Sequence, residues 1–119
     1  MSDLPISDLT TSTIYQALQG LTAQQKAISQ NVANLDTPGY TAQNVSFQQS
    51  LASAVAQGNP SAMQMTLVPS AAPRNQAGNN VSLATETVDA EKTSLAYQTM
   101  VQAMNAKMQL LSTAVTGQP

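Results

Sequence analysis

The sequence predicts a mainly α-helical fold in which two long terminal helices pack as an antiparallel, coiled-coil-like hairpin. Three observations predict it. Apolar residues recur every three or four positions in the first third of the chain, and they do so again in the last third. The segment between is rich in proline, asparagine and glycine, and the helical repeat is lost there. We therefore expect a single domain over 1–119, with its extended turn segment, short helix and flexible loop between the two helices.

The first helix is predicted over 7–35. Its apolar stripe has heptad spacing with Gln25 at the one polar position, and it consists of Ile14, Leu18, Leu21, Ile28, Val32 and Leu35. The stripe fits a helix that mates with other helices and equally an ordinary core face of a small bundle. Because Gly20 and the many Thr and Gln residues lower helix propensity, packing must supply most of the stability of this helix.

A turn with the sequence DTPGY must end this helix. Thr37 precedes a proline and is pushed out of the α region, while Gly39 can take the positive φ that a type II turn requires. Asp36 can accept a hydrogen bond from a backbone N–H two residues on. The turn is either selected for its geometry alone or held as a contact surface, with an exposed Tyr40 as its anchor.

An extended segment and a short helix are predicted within 36–57. Ser46 is the expected N-cap of the short helix. Phe47 is the only phenylalanine of the chain, and we expect it to pack against other residues rather than bind a ligand. The stretch 58–80 contains three prolines and is predicted to be a flexible loop in which Arg74 is unpaired and solvated.

The second long helix is predicted over 82–116. Acidic residues lie near its start and Lys107 near its end, as the helix dipole favours, and Gly117 marks its end. Its interface residues are predicted to be Leu95, Tyr97, Val101, Met104, Met108, Leu111 and Val115. Two helices cannot cover each other's apolar faces completely, so Leu95, Met100 and Leu110 are expected to stay partly exposed until neighbouring copies or sister proteins cover them.

The composition argues against several classes of function. A formal net charge of -2 without any basic cluster removes the electrostatic basis of nucleic-acid binding. The chain has no His and no Cys, so hydrolytic triads and zinc sites lose their commonest residues. We expect no catalytic site, no metal, no cofactor and no small-molecule ligand. An enzyme could use only scattered carboxylates such as Glu86, Asp89 and Glu91, whose place near a helix start is better explained by the helix dipole.

The sequence also gives expectations about membranes and export. The N-terminal residues lack the basic region and the apolar run of a secretory signal. No segment approaches the roughly 20 apolar residues that a membrane-spanning helix needs. We therefore expect neither a cleaved signal nor a membrane span.

The turn region resembles the N-terminal signature of the bacterial flagellar axial proteins, which form the rod, the hook and the hook-associated structures. The matching residues are Asn31, Val32, Ala33, Asn34, Asp36, Thr37, Pro38, Gly39, Tyr40 and Phe47. The short chain and the C-terminal stretch GNNVSLATETVDAEKTSLAYQTMVQAMNAKMQLL resemble the proximal-rod members in particular. The family is often charged at five positions that are neutral here, namely Thr41, Gln43, Asn44, Ser46 and Ala84.

This resemblance implies a non-enzymatic structural subunit of the proximal rod of the flagellar basal body. Such a subunit polymerises with itself and with other rod proteins into the tubular drive shaft and export channel. Its further expected partners are the rod adaptor protein, the membrane-embedded MS ring and the export gate. The resemblance also implies export through the flagellar type III apparatus without a cleaved signal. In the assembly the long helices would line the inner tube and 36–47 would reach toward neighbours.

Two alternatives stay open from the sequence. The chain could be another flagellar rod or hook-associated protein. It could also be a soluble helical adaptor or chaperone of a secretion system that works as a discrete dimer. A rod subunit is expected to be largely unfolded as a monomer at low concentration, whereas an adaptor would form a closed dimer at all concentrations.

Overall fold

A computed structural model of the chain describes residues 6–117 as an elongated, mainly helical molecule with extents of 64 × 27 × 15 Å. The elements in chain order are α1 (Ile6–Ala33), β1 (Gln43–Ser46), α2 (Gln48–Ala56), a 3-10 turn (Pro60–Ala62), β2 (Thr66–Pro69) and α3 (Leu83–Thr116). The predicted fold class is confirmed, because two long terminal helices pack together with a short helix between them. A two-stranded antiparallel sheet of β1 and β2 is present in addition.

The two long helices are antiparallel. Asn31, near the end of α1, contacts Glu86, near the start of α3. Farther from the turn, Met100 packs against the apolar cluster that contains Leu21. Ser82 caps α3, since its hydroxyl accepts a hydrogen bond from the backbone N–H of Thr85 at 3.3 Å. The helix ends where Gly117 adopts a left-handed conformation.

The inward face of α1 is rotated slightly from the predicted stripe. Its buried and half-buried positions follow a heptad pattern at Ile14, Ala17, Leu21, Gln24, Ile28 and Asn31. Half of these positions belong to the predicted stripe, but Val32 is 40% exposed. Alanines in the seam allow the two backbones to approach closely, which larger side chains would prevent.

The fully buried positions on the inward face of α3 are polar. Its buried residues are Glu86 and Thr93, and Met100 and Lys107 follow at heptad spacing as half-buried residues. The predicted apolar stripe of α3 lies largely to the side of this seam, because Val101 and most of its other members are exposed. Apolar spacing alone predicts which residues form a stripe, but it does not predict that a polar stripe occupies the intramolecular contact.

The main apolar cluster lies where the short helix meets α1. It consists of Leu21, Phe47, Ala54 and Met63, with Val45, Leu51, Ala96 and Met100 packed against it. Phe47 has the packing role expected from the sequence and is only 2% exposed. Its ring lies on Gly20, where a Cβ atom would come within 2.5 Å of the ring carbon Cγ. The glycine within α1 is therefore required by this contact.

The middle segment differs from the flexible loop predicted over 58–80. Pro60 is fully buried, and β2 pairs with β1 in the register Val45 to Leu67. Arg74 was expected to be unpaired, but its guanidinium donates hydrogen bonds to the Gly78 carbonyl and to the Thr41 hydroxyl, each at 2.6 Å. Composition predicted a loop here because it does not show which Pro and Asn side chains find partners elsewhere in the chain.

The start of the short helix also differs from the prediction. Helix α2 begins at Gln48, so that Phe47 rather than Ser46 occupies the N-cap position. The N-cap residue makes no side-chain capping bond. Because Phe47 must enter the core, its burial decides where α2 begins, at the expense of the capping box.

Candidate assembly surface

The DTPGY turn has the predicted type II geometry. The backbone N–H of Tyr40 donates to the Thr37 carbonyl at 3.2 Å, and Gly39 has a φ of 75°. The expected Asx bond of Asp36 is not among the hydrogen bonds of residues 6–117. Instead, the Thr37 hydroxyl donates to the side-chain oxygen of Asn34 at 3.0 Å. The turn thus leaves the Asp36 carboxylate on the surface.

The turn folds the chain back along α1. The Asn31 amide pairs with the backbone of Gln43, because its Nδ2 donates to the carbonyl at 2.9 Å and its Oδ1 accepts from the N–H at 2.9 Å. The Gln24 amide donates to the Val45 carbonyl at 3.0 Å. Side chains of α1 therefore satisfy the outer edge of β1. In the single chain, residues 43–47 lie on their own helix and do not extend outward as the resemblance implied.

Tyr40 belongs to the same contact. It is half-buried rather than exposed, and its hydroxyl donates to Asn31 Oδ1 at 3.4 Å. The sequence left open whether this side chain meets a neighbour or its own helix. In the single chain it contacts its own helix.

Two consecutive asparagines, Asn79 and Asn80, form further hydrogen bonds to the backbone of the turn region. The Asn79 amide donates to the carbonyls of Asn34 and Thr37 at 2.9 and 2.8 Å. The Asn80 side chain accepts from the backbone N–H of Ala42 at 2.8 Å. Both side chains are buried. They connect the turn to the residues that lead into α3.

Glu86 completes this polar cluster. Its carboxyl accepts a hydrogen bond from Asn31 Nδ2 at 3.0 Å, and both residues are buried, with exposures of 3% and 0%. We name Asn31, Asn79, Asn80 and Glu86 the polar clasp. In the described part of the chain every buried side-chain nitrogen and oxygen has a hydrogen-bond partner. The clasp is therefore a fully satisfied network, which rigidifies the turn.

The far part of α3 has a very different environment. We name residues 101–116 the free end, and no residue in this range is buried. Its most exposed large apolar residues are Leu110 at 67% and Val115 at 85%. Leu95 is 66% exposed, as the sequence predicted for a residue without an intramolecular partner. Apolar surface of this extent on a small chain is typical of a protein-contact surface.

An apolar groove runs between α2 and α3. Its volume is about 810 Å³, and its lining includes Leu51, Val55, Leu95, Ala96, Thr99 and Met100. Leu21 and Phe47 also line it. The groove thus continues the apolar core outward to the surface.

The carboxylates that an enzyme would need are not gathered in one place. Glu86 and Glu91 line one open groove beside Val32, whereas Asp89 lines another beside Gln24. Among residues 6–117 no group of acidic side chains has the arrangement of a metal site. Of the helices in that range, none has the length and apolar character to cross a membrane.

The predicted motif residues thus divide into three sets. Asn31 and Phe47 are buried, Asn34 and Tyr40 are half-buried, and Val32, Ala33 and the four residues 36–39 are exposed. Sequence reasoning missed Gly20, Asn79 and Asn80 as determinants of the site. A glycine inside an amphipathic helix and an Asn–Asn pair just before a helix are the signals that could have indicated them.

Comparison with known proteins identifies the class. The family described as "Flagella basal body rod protein" matches residues 14–41, which include most of α1 and the turn. The "Flagellar basal body rod protein FlgB" of Bacillus subtilis (strain 168) is 30% identical over 133 aligned positions, covering 91% of this chain and 94% of the relative. The helical hairpin with its DTPGY turn therefore defines a flagellar axial protein.

Within that class, the chain belongs to the family of flagellar basal body rod proteins. It is a structural subunit of the rod, and it assembles with other rod components.

Proposed function

We propose that this rod subunit lies at the cell-proximal end of the rod and has no catalytic role. Two features support the proximal position: the sequence resembles the proximal-rod members, and the middle segment 58–80 adds only one strand of a two-stranded sheet to the hairpin. The absence of a catalytic role is supported by Glu86, whose carboxyl is engaged by Asn31.

The observation that carries the proposal is the exposed apolar surface of α3. Leu95, Leu110 and Val115 are each more than half exposed in the single chain. Burying such side chains contributes roughly 1.5–3 kcal/mol each, so neighbouring subunits that cover them gain substantial association energy. We propose that the predicted interface residues on both helices are shared between this intramolecular seam and contacts to neighbouring subunits.

The turn supplies a second contact in this proposal. Asp36, Thr37, Pro38 and Gly39 are exposed at one end of the molecule, and the clasp holds their backbone in place. A preorganised loop loses little entropy on binding. We propose that these residues meet the next subunit along the rod, while Asn31, Tyr40 and Phe47 serve to hold the loop.

The further partners are proposed from the family resemblance alone. They are the rod adaptor protein, the MS ring and the export gate, next to which the proximal rod begins. The same resemblance supports export through the flagellar type III apparatus without a cleaved signal.

Deletion of the gene in the bacterium that encodes this chain tests the proximal position. Cryo-electron tomography of the deletion strain is expected to show MS rings without any rod above them. A rod stub of wild-type diameter with a missing distal part would contradict the proximal position, although the chain would still be a rod subunit. Complementation with the wild-type gene is the control.

Sedimentation velocity of the purified chain tests the assembly mode. Because a head-to-tail contact does not close, the sedimentation coefficient is expected to keep rising as the concentration increases. A closed dimer at all concentrations would support the adaptor alternative and contradict an axial polymer.

A further inference from the structure

We propose that the Asn31–Glu86 contact sets the rotation of α3 about its own axis, and so decides which of its faces is left for neighbouring subunits. In this role Asn31 and Glu86 are positioning residues. They make no contact with a neighbour themselves, but they hold a small and polar face of α3 against α1. Most of the large apolar side chains of α3 are thereby kept on the outside.

The first argument is the place of the contact. The Asn31 side chain is held in place independently of Glu86, because its amide pairs with both backbone groups of Gln43. Glu86 lies in the first turn of α3. A buried carboxyl that reaches a fixed amide at 3.0 Å determines the direction in which the first turn of α3 faces. Because a helix is stiff, the residues that follow Glu86 at heptad spacing face in the same direction.

The second argument is that apolar burial alone would favour another rotation. Besides the half-buried Met100, the seam face of α3 carries Thr93 and Ala96, which bury little apolar area. Val101 lies on the neighbouring face and is 36% exposed. A rotation of α3 that brought Val101 toward α1 would also turn Tyr97 and Met108 inward, which are 38% and 45% exposed, but it would carry Glu86 away from the Asn31 amide. Buried polar pairs are known to select one packing arrangement among several of similar energy.

The third argument concerns assembly. The rotation that the contact selects leaves Met108 and Val115 exposed on the same side of the helix as Val101. If α3 turned its large side chains inward, this outer surface would lose apolar character. The polar contact therefore leaves exposed an apolar face of α3 that would otherwise pack against α1.

Thiol labelling measures the rotation directly, because the chain has no Cys of its own. Cysteines are introduced singly as Ala96→Cys on the seam face and Val101→Cys on the neighbouring face of the full chain. In the otherwise wild-type chain, a maleimide is expected to label Cys at position 101 faster than at position 96. The ratio of the two labelling rates reports rotation, whereas a general loss of stability raises both rates together.

Glu86→Ala is expected to lower this ratio about tenfold, the shift in population that corresponds to losing one hydrogen bond of a buried carboxyl. The thiol at position 101 should become slower and the thiol at position 96 faster. Glu86→Gln keeps an oxygen that accepts from Asn31, so it is expected to retain the wild-type ratio. Thr93→Ala removes an equally buried polar side chain one heptad farther on, and it too should leave the ratio unchanged.

Several results would overturn the proposal. One is an unchanged ratio in Glu86→Ala at wild-type helix content by circular dichroism, and another is a parallel rise of both rates. If Glu86→Ala loses helix content, Glu86→Asp is measured instead, since it keeps the carboxyl group but shortens the reach by one methylene. If both labelling rates rise together in Glu86→Asp, the contact only stabilises the chain, and the proposal is wrong. If the ratio of labelling rates falls as far in Thr93→Ala as in Glu86→Ala, then losing any buried polar side chain of α3 has this effect, and the proposal is also wrong.

Discussion

The two ends of this molecule are built on different principles. At the turn end, which comprises the DTPGY turn, the clasp and the cluster around Phe47, polar atoms are paired and the aromatic ring is buried. At the free end, 101–116, no side chain is buried and leucines face the solvent. The turn end buries its aromatic ring and its paired polar groups, although Leu67 and Leu83 stay exposed there. The free end has no buried side chain, and no described residue of the chain covers its apolar surface.

This difference explains how a short chain with few charges can adopt one defined conformation and still associate with neighbouring subunits. The turn end fixes one conformation through asparagine amides whose partners lie far away in sequence. We expect the free end to supply association energy through its exposed apolar side chains. We infer that dilution unfolds the free end first, while the turn end keeps its structure. This refines the expectation of a largely unfolded monomer by naming the part that loses its structure first.

The largest effect is expected from Phe47→Ala, which removes the ring at the centre of the turn end. Loss of a buried phenylalanine costs about 3–5 kcal/mol of unfolding free energy. Urea denaturation of the isolated chain, followed by circular dichroism, measures it. Val115→Ala at the free end is the matched control and should change stability by less than about 0.5 kcal/mol. Equal losses at the two positions would remove the distinction between the ends.

Asn31→Ala tests the polar part of the same region. It leaves the backbone groups of Gln43 and the carboxyl of Glu86 without their amide partner, which is expected to cost about 2–3 kcal/mol. The same urea titration applies. Asn44→Ala, on the exposed face of β1, serves as the control and should be close to neutral. A neutral Asn31→Ala would mean that water replaces the clasp without loss.

Gly20→Ala provides a test in which the sign of the effect is informative. Helix propensity alone predicts that it stabilises α1 by about 1 kcal/mol. The contact with Phe47 predicts the opposite, a loss of about 1–3 kcal/mol, because a Cβ atom would overlap the ring. In a Phe47→Leu background the overlap is relieved, and the substitution should become less harmful or favourable. A stabilising effect in the wild-type background would contradict the packing described here.

The smallest effect on the single chain is expected at the free end. Leu110→Ser combined with Val115→Ser should change the unfolding free energy of the isolated chain by less than about 0.5 kcal/mol for each substitution. Assembly should respond strongly, because about 25 cal/mol of association free energy is lost per Å² of apolar contact. Light scattering against concentration would show a higher assembly threshold. An unchanged threshold would mean that the free end is not a contact surface.

The helices and the turn could be predicted from sequence because both depend on local signals. Heptad spacing predicted two long helices, and Pro38 followed by Gly39 predicted the type II turn. The order of the middle segment could not be predicted in this way. The amides of Asn79 and Asn80 look like loop residues in a sequence, and only the fold shows that they bond to the turn.

The rotation of α3 was also beyond local reasoning. The large apolar residues from Tyr97 to Val115 formed the obvious stripe, yet the seam uses Glu86 and Thr93. Apolar periodicity identifies residues that must leave water, but in an assembling protein it does not tell whether they are covered by the same chain or by the next one. That distinction depends on contacts between residues far apart in sequence, such as Asn31 and Glu86.

Amide hydrogen exchange of the isolated and the assembled chain, read by mass spectrometry, tests the contrast between the two ends most directly. In the isolated chain, amides of 101–116 are expected to exchange fast while those of 21–33 and 43–47 are protected. After assembly, 101–116 should become protected as well. A free end that is protected as strongly as the turn end in the dilute, isolated chain would contradict the account.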